Sequence, residues 1–320
     1  MAKINDMKGG VACMFPGQGS QYPGMGRVLA ENFAAARAVF EEADDALGFS
    51  LSRLCFEGSA EDLQLTENTQ PAILTVSVAA WRAFEGEFPD YMPKYVAGHS
   101  LGEYSALVAV GALSLADAVR TVRARGRYMQ EAVPVGVGAM AAILGADWQV
   151  VLNVCKEAQQ GEVCSPANIN SAQQVVIAGH ATAIDRAITL VKERGAKKVV
   201  QLKVSAPFHC ALMETAQRRL AADLSELKFN YLRCPLITNV DAIAIRGGSE
   251  ARDALVRQVS SPVRWLETLE LLIGAGVRTF VEFGPGKVLS ALARKTIPDA
   301  NCFNVEDAAS LHAARTGLNL

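Results

Sequence analysis

A chain of 320 residues, half of them hydrophobic and a fifth charged, has the proportions of a globular enzyme with one large domain and a smaller one. Lys and Arg number 31 against 33 Asp and Glu, a formal charge of −2, which leaves no cationic excess to displace counterions from nucleic acid or to hold a membrane surface. No apolar run is long enough to span a bilayer, and the opening MAKINDMKGG lacks the apolar stretch of a signal peptide and reads as a short frayed leader.

The apolar run 11–15 breaks at Pro16-Gly17-Gln18-Gly19, which predicts a strand entering a glycine-rich turn. Apolar residues at helical spacing predict helices over 27–47 and 71–84, the second with Pro71 in its first turn. A strand over 95–97 ends at Gly98 and gives way to a helix over 103–109; an arginine-rich helix over 115–132 follows. After Pro134 the texture changes. Strands over 139–144, 175–178 and 199–204 alternate with helices over 148–159 and 182–194, as in a compact α+β unit inserted over 134–205 into a large domain made of 1–133 and 206–320. Pro207 opens a turn before a helix over 211–224, and strands over 236–240, 279–283 and 303–305 with a helix over 265–275 complete an α/β pattern with a mostly parallel sheet.

Gly98-His99-Ser100-Leu101-Gly102 is a GxSxG pentapeptide between a predicted strand and a predicted helix, the context in which that motif lifts a serine clear of the backbone. The helix N-terminus then aims unpaired N–H groups at the point where negative charge develops during attack on a carbonyl. A serine needs a base, and the chain has four histidines. In such a turn His99 points away from its neighbour, His180 suits a capping or surface role and His312 lies in a polar tail, whereas His209 sits on a loop between a strand and a helix. Asp241 and Glu282 both end predicted strands and are candidates to orient the histidine; a backbone carbonyl is a third. The seven cysteines have no CxxC spacing, which fits reduced thiols in a cytoplasmic protein and no metal site. Gly17-x-Gly19 lacks the third glycine of a dinucleotide loop, and Gly284-Pro285-Gly286-Lys287 lacks the spacing of a phosphate loop. The arginines at 120, 123, 125 and 127 read by spacing as a solvated helix face.

With GHSLGE at 98–103, FPGQGSQ at 15–21 and SAPFH at 205–209, the chain resembles the malonyl-CoA:acyl-carrier-protein transacylases and the related polyketide acyltransferase domains. Further segments in family order are Thr69-Gln70-Pro71-Ala72, Arg125-Gly126-Arg127-Tyr128-Met129, Asn168-Ile169-Asn170-Ser171, Asn239-Val240-Asp241 and Glu282-Phe283-Gly284-Pro285-Gly286. The likeness runs from about Phe15 to Lys287 and leaves the leader and the tail after Asn304 outside it. It implies a hydrolase-like core interrupted by a small ferredoxin-like subdomain. It also implies Ser100 as nucleophile, His209 as base, the N–H groups of Leu101 and Gln18 as oxyanion hole, and the main-chain carbonyl of Gln258 as the group that holds the histidine. Arg125 would bind the substrate carboxylate, with Met129 and Phe208 beside it; Phe208 and Leu101 point to malonyl rather than methylmalonyl. The partners implied are malonyl-CoA and acyl carrier protein, with coenzyme A and phosphopantetheine thioesters as substrates, no cofactor, and a monomer. Two other functions fit GxSxG: a serine esterase, with a pocket lacking a buried arginine, or a catalytically silent CoA-binding protein.

Overall fold

The computed structural model describes residues 10–202, 204 and 206–320; the expected leader over 1–9 and positions 203 and 205 of the expected strand and loop lie outside the described residues. Among the described residues ten strands form two sheets. The first six-stranded sheet joins β1 (Val11–Phe15), β2 (Tyr95–Gly98), β7 (Leu236–Ile237), β8 (Ala244–Ile245), β9 (Thr279–Phe283) and β10 (Asn301–Val305) in the order β10-β9-β1-β2-β7-β8. Every pairing is parallel except β7 with β8. β1 and β9 are buried along their whole length, which is why they read as unbroken apolar runs and not as alternation. Phe15, Trp81, Phe84 and Phe283 cluster on one side of this sheet, where the Thr66–Glu87 helix crosses it; Phe15 stacks on Phe283, and Trp81 and Phe84 meet Phe283 edge to face.

The second sheet is small and antiparallel. It joins β3 (Gly138–Leu144), β4 (Cys164–Ser171), β5 (Gln174–His180) and β6 (Lys198–Gln201) in the order β4-β5-β3-β6. The helices Trp148–Ala158 and Ala181–Glu193 connect its strands in a β-α-β-β-α-β sequence, the ferredoxin-like arrangement, and pack over it through Ile143, Val151, Val154, Ile177, Ile184 and Val191. β4 also touches the large sheet's side of the molecule. Ile169 N–H donates to Val263 O at 2.9 Å, and Val263 N–H donates to Ala167 O at 2.8 Å.

Several elements differ from expectation. The helix expected over 71–84 is Thr66–Glu87, so Pro71 lies inside it and not in its first turn. The segment Thr66-Glu67-Asn68-Thr69-Gln70 has no apolar periodicity, yet Thr66, Thr69 and Gln70 are buried: Gln70 lines the cavity, Thr66 Oγ1 donates to Gln18 Oε1 and Thr69 Oγ1 donates to Leu63 O. β4 was not visible as a strand, since CSPANINS is polar and carries Pro166. The expected strand over 199–204 is β6, four residues ending at Gln201, and that over 236–240 is β7, two residues. The polar tail is a helix, Ala308–Leu318, with His312 exposed on it. The helices Leu51–Glu57, Ala60–Gln64, Gly248–Gln258 and Val288–Thr296 lie outside the expected elements, although Val288–Thr296 has an apolar face of Leu289, Leu292 and Ala293.

Candidate active site

Four parallel-strand ends meet at one edge of the large sheet: Phe15 leads to Gln18, Gly98 to Ser100, Ile237 to Asn239 and Phe283 to Gly284. That edge is where an open α/β sheet presents its reactive groups. Ser100 sits at φ 52°, the left-handed region that a non-glycine residue enters only when its surroundings hold it there. The flanking glycines make the turn possible. A Cβ on Gly98 would overlap the Gly102 carbonyl, and one on Gly102 would overlap Phe15 O. Asn239 clasps the turn from outside: its Oδ1 accepts from Ser100 N–H at 2.6 Å and its Nδ2 donates to Gly98 O at 2.6 Å.

His209 also lies at positive φ, 60°, on the loop that the short 3₁₀ turn Ala211–Met213 terminates. Its Nδ1 donates to Gln258 O at 3.0 Å, which leaves Nε2 as an acceptor 2.7 Å from Ser100 Oγ. Gln258 is the last residue of its helix, so its carbonyl lacks an intrahelical partner and carries the negative end of the helix dipole. Burial, and then the Arg125 charge, push the His209 imidazole down to about 3. Neither candidate acid touches the ring. Asp241 makes a two-pronged pair with Arg257 at 2.7 and 2.6 Å, and buried Glu282 accepts from Leu289 and Ser290 N–H, capping the Val288–Thr296 helix. Of the three candidates to orient the histidine, the carbonyl is the one in contact.

Arg125 departs from the solvated face that the arginine spacing suggests. Arg120 and Arg127 are exposed, but Arg125 is 2% exposed, on the stripe Ala118-Val122-Arg125-Met129 that faces the core. That stripe at i, i+4, i+7, i+11 is a helical signal in the sequence, masked by the three other arginines around it. Its Nη1 donates to Gln70 Oε1 at 2.6 Å, and its Nη2 donates to Gln258 Oε1 at 2.9 Å and to Ser100 Oγ at 3.0 Å. Nε has no partner. Among the described residues no carboxylate lies within ion-pair distance of this buried cation.

These groups line a cavity of about 400 Å³, whose wall includes Gln18, Gln70, Met129 and Phe208 from the large part and Met140, Asn168, Leu202 and Val204 from the small one. The N–H groups of Gln18 and Leu101 have no protein acceptor among the described residues. Gln18 is held through Oε1, which accepts from Thr66 Oγ1 at 3.1 Å. Two of the remaining histidines are held outside the chemistry: His99 Nε2 pairs with Asn170 Oδ1 at 2.9 Å, with its ring against Trp265, and His180 stands at the N-cap position of the Ala181–Glu193 helix without a side-chain capping bond, its Nδ1 instead accepting from Val163 N–H. Gly284–Lys287 is a plain turn; Gly284 packs on Pro16 and Gly286 N–H donates to Glu306. Gln70, Asn239 and Glu103 belong to the site and were not singled out one by one, although each lies in a segment that carried the family likeness.

Comparison with known proteins follows the same line. The family model described as the acyl transferase domain matches residues 13–316, so the tail after Asn304 falls largely within the likeness and not outside it. A malonyl CoA-acyl carrier protein transacylase of Haemophilus influenzae is 48% identical over 302 residues, 94% of this chain and 97% of that protein. The crystal structure of an acyl carrier protein S-malonyltransferase from Vibrio cholerae superposes with a TM-score of 0.92 at 47% identity, over 95% of this chain and 99% of that one. A malonyl-transacylase solved in complex with a type II polyketide acyl-carrier protein gives a TM-score of 0.93 at 45% identity, over 96% of this chain and 99% of that one.

Proposed function

The chain belongs to the acyl transferase domain family, and on that premise we propose that it transfers a malonyl group from malonyl-CoA to the phosphopantetheine thiol of acyl carrier protein, supplying the extender unit of fatty-acid synthesis. Ser100 is the nucleophile and His209 the base. As Ser100 Oγ attacks the thioester carbonyl, its proton passes to His209 Nε2, and the charge on the carbonyl oxygen is met by the N–H groups of Leu101 and Gln18. One such donor is typically worth about 3–4 kcal/mol of barrier. Coenzyme A leaves as its thiol with that proton, and the carrier thiol attacks the Ser100 ester by the reverse steps. Gln258 O keeps the imidazole in the tautomer this requires. The two structural parts, 1–133 with 206–320 and 134–205, act as the two walls of the acyl pocket, with Met129 and Phe208 against the acyl chain. The enzyme works as a cytoplasmic monomer, with thioesters as substrates and no further cofactor.

The observation that carries this function is the buried, carboxylate-free Arg125 whose Nη2 lies 3.0 Å from the nucleophile. A guanidinium keeps its charge at any working pH and offers two parallel donors to a carboxylate. An esterase for neutral acyl groups has no use for one there. Truncating one partner of a buried charged pair costs about 3–5 kcal/mol, some hundreds- to thousands-fold. Arg125→Ala should therefore lose most malonyl acylation of Ser100 and keep or gain acetyl acylation, and Arg125→Lys should recover part of the malonyl rate. An unchanged malonyl-to-acetyl ratio of second-order rate constants in Arg125→Ala would remove the argument for malonyl.

A further inference from the structure

Besides Arg125 and His209 the site holds a buried carboxyl that no step above uses. Glu103, one turn after Ser100 on the Gly102–Ala109 helix, is 0% exposed. Its Oε2 accepts from Asn239 N–H at 3.0 Å and from Gln258 Nε2 at 2.9 Å, and Gln258 Nε2 also donates to Ser100 O at 3.0 Å. Its Oε1 has no partner. The Gln258 amide therefore bridges the carboxylate to the guanidinium, its NH₂ toward Glu103 and its oxygen on Arg125. An amide oriented this way lies along the field between a negative and a positive charge.

We propose that Glu103 is the resident counter-charge of Arg125, a positioning residue that acts through Gln258 and competes with the substrate's carboxylate for the guanidinium. The inference rests on the malonyl function proposed above. When the malonyl carboxylate settles on Arg125, a buried site that held one cation and one anion gains a second anion. The economical response at low dielectric is for Glu103 to take up a proton from solvent. Burial already pushes the Glu103 carboxyl up to about 7, against the opposing pull of its Gln258 and Asn239 bonds and of Arg125. The other charged or titratable groups around it are Asp241, which disfavours its ionisation, Arg257, which is paired with Asp241, and Tyr104. Selectivity follows from the protonation state: neutral Glu103 leaves Arg125 entirely to malonyl, and ionised Glu103 shares it.

The test is the second-order rate constant for acylation of Ser100 by malonyl-CoA and by acetyl-CoA from pH 5.5 to 9, in the wild-type enzyme and in Glu103→Gln. Taking the ratio cancels the titration of His209. The wild-type ratio should fall about tenfold as pH rises through the Glu103 transition, the change linkage requires if bound malonyl raises its proton affinity tenfold. In Glu103→Gln the ratio should be flat. A flat wild-type ratio, or a variant with the wild-type slope, would overturn the inference, as would a parallel loss of both rates at every pH. Proton uptake in weakly buffered wild-type enzyme at pH 7 gives a second readout that does not depend on the variant's folding. Acylation itself is proton-neutral, because the serine proton leaves on the coenzyme A sulfur. Malonylation should nevertheless consume about 0.4 proton per site and acetylation none; equal values for the two would contradict the proposal. Failure of malonyl-CoA to acylate Ser100 at all would instead reject the underlying function.

Discussion

Ser100 Oγ stands between two groups of opposite character. It donates to His209 Nε2 at 2.7 Å and accepts from Arg125 Nη2 at 3.0 Å, so the hydroxyl proton is directed at the base and the oxygen faces a positive charge. Burial, helped by the same arginine, keeps His209 neutral far below the ordinary histidine range. The consequence for pH has a definite sign. The unfolded chain takes up a proton on this histidine near 6.5 while the folded one resists until about 3, so stability falls as pH drops through that interval. By the same reasoning kcat/KM for malonyl acylation should show no acid limb near 6.5; a limb there, absent from the His209→Ala background rate, would assign the base a normal pKa. Asp241→Asn should leave the rate nearly untouched, since that acid pairs with Arg257 and not with the ring.

Elements hold these atoms in place through contacts that tolerate little change. Gly126, next to Arg125, brings the Leu115–Glu131 helix against the first turn of the Thr66–Glu87 helix, where an added Cβ would sit 2.7 Å from Thr66 O. In a free helix Gly→Ala is favourable by about 1 kcal/mol. Here Gly126→Ala should destabilise by roughly 1–3 kcal/mol in urea unfolding, because it pushes two packed helices apart. It should also raise the malonyl KM, since Arg125 and Gln70 move with them. A stabilised variant with unchanged KM would show that the approach of the two helices is not tight. The same contact explains what was legible beforehand. β1, β2 and β9 announce themselves as apolar runs closed by glycine or proline turns, and Ser100 follows from its place between strand and helix. The polar turn Thr66–Gln70 and the polar strand β4 are hidden because tertiary packing and hydrogen bonds bury their polar side chains, a fact with no periodic trace. Arg125 and Gln258 act across the fold, and only the family likeness pointed to their roles.

At the scale of the molecule the small sheet is stitched to the large part at the site itself. Besides the Ile169–Val263 and Val263–Ala167 bonds, His99 Nε2 reaches Asn170 Oδ1 at 2.9 Å, one residue away from the nucleophile. Asn170→Ala leaves a largely enclosed ring nitrogen unpaired, a loss of about 1–3 kcal/mol. Because β4 carries the pocket wall, that variant should raise the malonyl-CoA KM several-fold with a smaller effect on kcat. A fall in kcat at constant KM would separate the stitch from substrate binding. Transfer by this route requires one covalent bond, between a malonyl group and Ser100. Enzyme mixed briefly with malonyl-CoA in the absence of carrier protein, quenched and mapped by peptide mass, tests it most directly. The malonyl mass should lie on the peptide containing Ser100, be absent in folded Ser100→Ala, and disappear when carrier protein is added. Malonyl found on Cys210 or another residue, or retained by Ser100→Ala, would contradict the account.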